Sequence, residues 1–495
     1  MSLPGSPVPL FKIKVQEKGK IKDIKEIVVR VEGLPTCLNG QIVDMGQGVK
    51  GIIMGYNEDD VLVLVLGDQN KLRMGKEVTG VSEPFRIPVG DGFVGRMVTA
   101  LGNPCDQGDP VEASDFYPVF RESARITCRA PVSDFLPTGT KVIDCLVPLA
   151  KGQRQLILGD RMTGKTTIAL DAILNQANRD MICIYCCIGK SITSVEKVTA
   201  ALHDSGALSY TVIIVATDSS PVGEQYLVPF SAASLADYFA SRKRDVLVVF
   251  DDLTKHAWAY RQLSLLLERP PGREAYPGDI FYVQTQLMER AGNFNESYGG
   301  GSITYLGIAE TLQGDLAGYI PSNLASMCDG QICMSAAIFA EGFRPAIDFS
   351  LSLSIIGGRV QPPLIKDLSR TLRSDFAHYK EVVNLSKLQS GLSGASEKIV
   401  RKGRAIMSML QQGQNQPASQ AEQAILLYAL HKDHVVDVDA EGQERFRKTV
   451  FPYACANHRA LVERIERGEK LTPEIEQGLE AIVKGFLESV SAGAA

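Results

Sequence analysis

The sequence lacks an apolar run long enough to form a membrane-spanning helix. Its longest apolar runs, such as residues 61–66 and 246–250, have the length of β-strands, whereas a spanning helix needs about 20 residues. Residues 1–10 also lack the basic start and the apolar core of a secretion signal. We therefore expect this protein to reach a membrane only through its partners.

The sequence also lacks a basic excess, because its formal net charge is -5. Proteins that bind nucleic acid usually present clustered Lys and Arg to the phosphate backbone, so this balance argues against a nucleic-acid partner. Apolar residues make up 45% and charged residues 22%, which is typical of a folded globular protein. A chain of 495 residues exceeds one ordinary hydrophobic core, and we expect several domains.

A disulfide framework and a zinc-binding pattern are missing too, although the chain has ten cysteines. Cys183, Cys186 and Cys187 lie close together and suggest a metal or redox site, but no second CxxC or paired His completes it. They fall in the apolar run 181–188, which is typical of a buried strand, where a free thiol packs as a small hydrophobe. We predict that these thiols belong to the core of a protein from a reducing compartment.

The chain divides into regions that differ in composition and in the spacing of apolar residues. Short apolar runs separated by Gly, Asn and Asp predict a small β-barrel, and strands that alternate with helices predict a mostly parallel sheet. Towards the C-terminus Gly and Pro become rare and apolar residues recur with helical spacing. The predicted organisation is an N-terminal extension over residues 1–25, a β-barrel over 26–90, an α/β domain over 91–365 and a helical domain over 366–495.

One motif in the α/β domain carries clear chemistry. The pattern GxxxxGK[ST] is met by Gly159, Asp160, Arg161, Met162, Thr163, Gly164, Lys165 and Thr166. It follows the apolar run 155–158 and opens an apolar-periodic helix, which is the setting that a phosphate-binding P-loop requires. Its backbone N–H groups would surround a β-phosphate, Lys165 would contact the β- and γ-phosphates, and Thr166 would offer its hydroxyl to Mg²⁺.

A P-loop site also needs a carboxylate at the end of a neighbouring strand to hold the magnesium shell. The run 246–250 ends in Asp251 and Asp252, and we predict that Asp251 has this role. Asp252 is open to a simpler interpretation as the cap of the helix that follows.

Longer runs around these motifs resemble the α subunit of F-type ATP synthase. The similar runs are residues 154–161, 163–166, 250–255, 260–262, 270–279, 299–302, 319–321, 342–347 and 412–414. They occur in the family's order and extend the resemblance over roughly residues 25–450.

The resemblance implies a multidomain fold with an N-terminal β-barrel, a central RecA-like α/β P-loop domain that binds nucleotide, and a C-terminal α-helical bundle. It implies a hexameric ring in which α-type and β-type subunits alternate around a central γ-type shaft, with a peripheral δ-type stalk. Residues 270–279 resemble the sleeve around that shaft. Such a ring lies on the cytoplasmic face of a bacterial membrane and couples ATP synthesis to proton or sodium transport.

The resemblance also implies a site for ATP or ADP with Mg²⁺ that this subunit holds without turning the nucleotide over. The implied phosphate-binding residues are the loop residues from Gly159 to Thr166 together with Thr167. Arg344, Pro345, Gln412 and Gln414 would line the adenine pocket. Thr166 and Asp251 would lie near the metal.

Lys190 bears on whether this site could hydrolyse its nucleotide. Hydrolysis needs a group that orients water or takes its proton, and the β subunits of the family use a Glu at the equivalent position. A lysine can neutralise phosphate but is a poor base at neutral pH. An alternative is that Lys190 is a solvated surface residue, as we expect for Glu196.

Two positions depart from the family pattern. The arginine that reaches the neighbouring β site, worth about 10³ or more in rate, is replaced by Ile355. Arg359 is a candidate substitute if Gly357 and Gly358 allow the loop to fold back; otherwise it is a surface residue. Met162 stands in the P-loop where the family usually has Gln.

Three functions remain open from the sequence. The first is a non-catalytic α-type subunit of a rotary ATP synthase or ATPase. The second is a paralogous ring subunit with a structural or regulatory role, because Ile355 removes the arginine finger. The third is an independent P-loop ATPase or helicase-like hexamer, against which the missing base and the acidic net charge argue.

Overall fold

The computed structural model describes residues 17–56, 59–386 and 394–492. Within these ranges the chain forms, in order, a closed β-barrel, an α/β region built on a large sheet, and a set of packed helices. The fold class predicted from the sequence is thereby confirmed.

The barrel closes through antiparallel pairing. Its strands are β1 (Glu17–Lys25), β2 (Val28–Glu32), β3 (Gln41–Asp44), β4 (Lys50–Tyr56), β5 (Val61–Leu66) and β6 (Glu77–Pro84). The order around the barrel is β1-β2-β5-β4-β3-β6, and β1 pairs with β6 as well as with β2. Closure satisfies the backbone groups that an edge strand would leave unpaired.

Strand β5 joins the barrel to the α/β region. Successive side chains of a strand point to opposite faces, so its residues divide into two sets. Val63 and Val65 belong to the apolar cluster inside the barrel, whereas Leu64 and Leu66 belong to a cluster of the α/β region. Because both faces are buried, the run 61–66 is apolar at every position.

The α/β region contains the remaining strands and eight helices. The strands are β7 (Arg86–Val89), β8 (Met97–Thr99), β9 (Asp115–Pro118), β10 (Phe135–Leu136), β11 (Leu149–Ala150), β12 (Arg154–Gly159), β13 (Met181–Lys190), β14 (Thr211–Thr217), β15 (Asp245–Asp251), β16 (Gly292–Asn293), β17 (Ser302–Glu310), β18 (Gly330–Cys333) and β19 (Leu353–Ser354). The helices are α1 (Lys141–Leu146), α2 (Lys165–Leu174), α3 (Ile192–Asp204), α4 (Val222–Ala240), α5 (Leu253–Leu266), α6 (Ile280–Met288), α7 (Tyr319–Met327) and α8 (Ala336–Ala340).

The order of the main sheet positions the site. It runs β19-β18-β12-β17-β15-β13-β14-β8, and every neighbouring pair is parallel except β18 with β19. Strand β12 lies between β17 and β18, and β15 lies between β17 and β13. The carboxyl ends of β12, β15 and β13 therefore meet at one edge of the sheet, where ligands of α/β proteins bind.

Both ends of the barrel differ from the prediction. Strand β1 lies among the residues predicted as an N-terminal extension, and its exposed Lys18, Lys20 and Lys22 made it resemble a solvated tail. At the other end, β7 pairs with β9 outside the barrel. The barrel strands thus span residues 17–84 rather than 26–90, because one face of β1 is charged and the apolar run at β7 belongs to a separate two-stranded sheet.

The cysteine cluster is part of the core, as predicted. Cys183, Cys186 and Cys187 are buried on β13, which is paired on both sides by β14 and β15. Cys183 and Cys187 face one apolar layer and Cys186 faces the other. In the part of the chain that the structure describes, no group of three or more His, Cys, Asp or Glu side chains is arranged to hold a metal.

The C-terminal region is helical. Its helices are α9 (Pro363–Ser369), α10 (Leu372–Ser386), α11 (Gly394–Leu410), α12 (Gln420–His431), α13 (Ala440–Asn457), α14 (Arg459–Glu466) and α15 (Pro473–Ala492). Helix α12 contacts α9, α11, α13, α14 and α15, and its residues 424–430 are all buried. Among the described residues we find no helix with the length and apolar character needed to span a bilayer.

Substitution of Leu64 tests whether this side chain of β5 is packed in the core of the α/β region. Its side chain is 1% exposed, and we expect Leu64→Ala to lower the free energy of unfolding by about 2–5 kcal/mol, through lost burial and a cavity. The control is Leu38→Ala, because Leu38 is 65% exposed in the same region. Denaturant unfolding measures both variants, and equal losses would contradict the assignment of Leu64 to the core.

Candidate nucleotide site

The phosphate loop connects the end of β12 to the start of α2. Gly164 precedes the helix with φ of 97°, a left-handed conformation that glycine adopts without strain. At Gly159 a Cβ atom would lie 2.6 Å from the Cβ of Met334, so only glycine fits there. Met162 also has a left-handed backbone conformation, with φ of 60°, and the residue is 91% exposed. The loop thus presents backbone N–H groups and the N-terminus of α2 at the edge of the sheet.

Lys165 is held across the loop by backbone carbonyls. Its Nζ donates to the carbonyl oxygens of Gly159 at 2.8 Å and Asp160 at 2.6 Å. Burial lowers the pKa of Lys165, which is the expected effect of removing an ammonium from water. Asp160 in turn accepts hydrogen bonds from Thr311 Oγ1 at 2.7 Å and from the Gly314 N–H at 2.9 Å. Hydrogen bonds within the chain therefore hold the loop in shape, and the ammonium group of Lys165 lies inside its curve.

Asp251 lies beside the loop at the end of β15. Its Oδ2 atom accepts hydrogen bonds from Thr166 Oγ1 at 2.8 Å and from the Tyr185 hydroxyl at 2.7 Å. Hydroxyl and carboxylate oxygens are ligands that Mg²⁺ prefers, so Thr166 and Asp251 form a fitting pair for this ion. Tyr185 was not predicted from the sequence as a site residue, although its hydroxyl group stands out in a largely apolar strand.

Asp252 caps helix α5, which is the simpler of its two interpretations. Its side chain accepts a hydrogen bond from the Lys255 N–H at 2.7 Å. Burial raises the pKa of Asp252 to about 7, against the lowering effect of the nearby Lys190. The two neighbouring carboxylates therefore differ in function, with Asp251 facing the loop and Asp252 holding the helix.

Lys190 points into the site from the end of β13. Its Nζ forms an ion pair with Asp251 Oδ1 at 2.7 Å and lies 3.8 Å from Asp252 Oδ2. Burial lowers the pKa of Lys190, but the two carboxylates outweigh this and raise it above the ordinary value of 10.5. The interpretation of Lys190 as a solvated surface residue is therefore wrong. Glu196 is exposed on α3, as predicted.

A cavity of about 220 Å³ lies next to the phosphate loop. It brings together all four residues predicted for the adenine pocket, Arg344, Pro345, Gln412 and Gln414, with Thr163, Gly164 and Thr167 of the loop region. Its other lining residues include Asp171 and Phe339, which the sequence analysis missed because each lies in an apolar stretch without a motif. The cavity is adjacent to the position where a base attached to the bound phosphates would lie.

Two of the predicted pocket residues are fixed by contacts within the chain. The guanidinium of Arg344 lies 3.4 Å from the centre of the Phe339 ring. Gln412 accepts from the Lys141 N–H at 3.0 Å and donates to the carbonyls of Gly139 and Gln416, both at 2.7 Å. Gln412 therefore holds the pocket wall in place and has its side-chain groups already engaged.

Ile355 and Arg359 lie on a different surface, at the edge of the sheet beyond β19. Ile355 is 70% exposed and follows the exposed Leu351 and Leu353 in alternation. Arg359 is exposed in the 3-10 turn Gly357–Arg359. Gly357 packs so closely on the carbonyl of Pro148 that a Cβ atom would lie 1.5 Å from its oxygen, so this turn is anchored in position.

Substitution of Gly164 tests whether the conformation of the phosphate loop contributes to ATP binding. Both Gly164→Ala and Gly206→Ala place alanine at a positive φ, 97° and 73°, and we expect each to cost about 1–2 kcal/mol of stability. Only Gly164→Ala should also weaken ATP binding, by about tenfold or more, because the loop N–H groups turn away from the phosphates. Calorimetric titration with ATP checks this, and equal affinities in the two variants would contradict the assigned role of the loop.

Comparison with protein families gives matches to each of the three regions. The model described as the ATP synthase alpha/beta family, beta-barrel domain, matches residues 14–81, and the nucleotide-binding domain of the same family matches residues 139–354. The ATP synthase alpha/beta chain, C terminal domain, matches residues 361–486. The three matches follow the order of barrel, α/β region and helices.

Curated relatives agree over nearly the whole chain. The ATP synthase subunit alpha of Clostridium acetobutylicum is 40% identical over 475 residues, which cover 96% of this chain and 94% of that protein. The ATP synthase subunit alpha of Clostridium botulinum is 39% identical over 476 residues, with the same coverage of 96% and 94%. With the phosphate loop, the buried Asp251 and the order of the domains, these matches show that the chain belongs to the ATP synthase alpha/beta family, among its alpha subunits.

Proposed function

We propose that this chain holds ATP or ADP with Mg²⁺, without turning the nucleotide over, as the α-type subunit in the soluble sector of a rotary ATP synthase or ATPase. The observation that carries the proposal is the ion pair of Lys190 with Asp251 at 2.7 Å. It supports binding without hydrolysis, because a lysine held protonated by this pair cannot act as a base. The α-type role is supported by the two relatives, both of which are alpha subunits of ATP synthase.

Each part of the nucleotide has a set of residues suited to it. The loop from Gly159 to Thr167, with the ammonium of Lys165, would hold the phosphates. Thr166 and Asp251 would hold Mg²⁺, which when bound neutralises charge on the phosphate oxygens. Arg344, Pro345, Gln412 and Gln414 would enclose adenine in the cavity beside Gly164.

The charges around Asp251 support binding without turnover. A group that activates water must accept a proton near neutral pH, and its pKa must therefore lie near that range. The raised pKa of Lys190 keeps this side chain protonated, so it cannot accept a proton from water. Burial raises the pKa of Asp252 to about 7, but this side chain caps α5 through the Lys255 N–H and lies 3.8 Å from the Lys190 ammonium. The site thus offers cations and hydrogen-bond donors to the phosphates.

The proposed assembly is a ring of alternating α-type and β-type subunits with a central γ-type shaft and a peripheral δ-type stalk. Residues 272–275 are exposed, as a loop that faces a shaft must be. The base of this loop is held where Asp279 accepts from the Tyr260 hydroxyl at 2.7 Å and pairs with Arg269 at 3.3 Å. The ring would lie on the cytoplasmic face of a membrane and contact that membrane only through the other parts of the complex. The complex would couple ATP synthesis to proton or sodium transport.

Ile355 favours a second candidate function, a ring subunit with a structural or regulatory role. An exposed isoleucine cannot stabilise charge on a phosphoryl group at a neighbouring site, whereas an arginine finger contributes about 10³-fold or more to the rate. The exposed apolar row Leu351, Leu353 and Ile355 suits contact with another subunit. Under the first function, Arg359 would supply the missing guanidinium from its anchored turn.

The two functions predict different activities for the assembled ring. The chain is co-expressed with the β-type and γ-type subunits of its own organism, and the ATPase rate is measured for wild type, Ile355→Arg and Arg359→Ala. The first function predicts turnover by the wild-type ring, and a role of Arg359 as the finger predicts a loss of about 10³-fold in Arg359→Ala. The control Leu353→Arg places a guanidinium two residues from position 355.

Activity that appears in Ile355→Arg but in neither wild type nor Leu353→Arg would contradict the first function and support the structural or regulatory role. A wild-type ring whose rate is unchanged in Arg359→Ala would reject Arg359 as the substitute finger while leaving the α-type assignment intact.

A further inference from the structure

Two hydrogen-bond donors and one ammonium group of this chain already surround the carboxylate that would hold Mg²⁺. Thr166 and Tyr185 donate to its Oδ2 atom at 2.8 and 2.7 Å, and the ammonium of Lys190 lies 2.7 Å from its Oδ1 atom. Asp251 is 1% exposed in its side chain, so solvent offers it little further compensation. Oδ2 thus accepts two hydrogen bonds, and the charge of Oδ1 is compensated by the Lys190 ammonium.

A lysine in this position changes the electrostatics of metal binding. A buried carboxylate attracts a divalent cation by its negative charge, and a positive charge at 2.7 Å offsets that attraction. Mg²⁺ also keeps several of its waters, which need acceptors in the surrounding shell. Lys190 occupies the Oδ1 side of Asp251, which would be one such acceptor.

Lys190 also borders a cavity beside the phosphate loop. A cavity of about 350 Å³ is lined by Lys190 and Asp251 together with Thr166 and Thr167 of the loop region. An ammonium is a compact point charge on a flexible stem and is a common ligand of phosphate oxygens. Lys190 thus adds a second positive charge beside the loop that carries Lys165.

We propose that Lys190 acts as a built-in cation, so that this site binds nucleoside triphosphate with little dependence on Mg²⁺. The inference rests on the proposed function, because it requires a nucleotide at the phosphate loop. It goes further in naming the form of the ligand that the site takes, a triphosphate with or without a divalent cation. In this role Lys190 contacts the phosphates and compensates Asp251 when no metal is present.

The test compares ATP affinity in two solutions, one with excess Mg²⁺ and one with EDTA. Titration calorimetry on the full-length chain is carried out for wild type, Lys190→Gln, Lys190→Arg and Lys197→Gln. We expect the wild-type affinity to change by about threefold or less between the solutions, and the affinity of Lys190→Gln to fall by about tenfold or more in EDTA. Lys190→Arg keeps the charge and should retain most of the wild-type behaviour.

Lys197→Gln is the matched control, because Lys197 is an exposed residue of α3 that borders the same cavity. It removes the same charge and should leave the dependence on Mg²⁺ as in wild type. A wild-type chain whose affinity collapses in EDTA as strongly as that of Lys190→Gln would overturn the inference. An equal loss of EDTA binding in Lys197→Gln would overturn it as well, since general charge would then explain the effect.

The outcomes separate this inference from the proposed function. Wild-type protein that binds no ATP in either solution would refute the proposed function itself. Wild-type protein that binds ATP only with Mg²⁺ would leave the proposed function intact and reject the role of Lys190. Thermal unfolding of each variant without nucleotide shows whether it is folded, and the wild-type comparison decides the question even if Lys190→Gln does not fold.

Discussion

The burial of the Asp251 carboxylate is the constraint on which the rest of the site depends. A charge removed from water at the end of a central strand is costly unless donors or cations surround it. The sheet supplies these partners from its neighbours, since β13 brings Tyr185 and Lys190 and the loop after β12 brings Thr166. The strand order therefore fixes the phosphate loop and the carboxylate relative to each other before any ligand binds.

Much of this arrangement could be predicted because local patterns carry it. The phosphate loop has a fixed spacing between an apolar strand and a helix, and the alternation of strands and helices indicates a parallel sheet. The first barrel strand escaped prediction because Lys18, Lys20 and Lys22 alternate along it, so that the burial of its other face depends on pairing with β6. A local sequence pattern does not show which distant strand a segment pairs with.

The same distinction applies to the site. The positions of motif residues such as Lys165 and Thr166 in the loop between β12 and α2 could be predicted from their spacing. The direction of the Lys190 side chain could not be predicted from the sequence, because a lysine at the end of a strand can equally well point into solvent. It points towards Asp251 because β15 pairs with β13. Gln412 was expected as a wall of the adenine pocket, and its bonds to Gly139 and Gln416 show how that wall is held.

We propose that this chain binds a nucleotide without hydrolysing it, and the fate of bound ATP tests that proposal most directly. The purified chain is incubated with an equal amount of ATP labelled in the γ-phosphate, and the nucleotide is recovered after denaturation and separated by chromatography. The account predicts that the label is recovered as ATP. Stoichiometric release of labelled phosphate by the chain alone would contradict it and would indicate an independent ATPase.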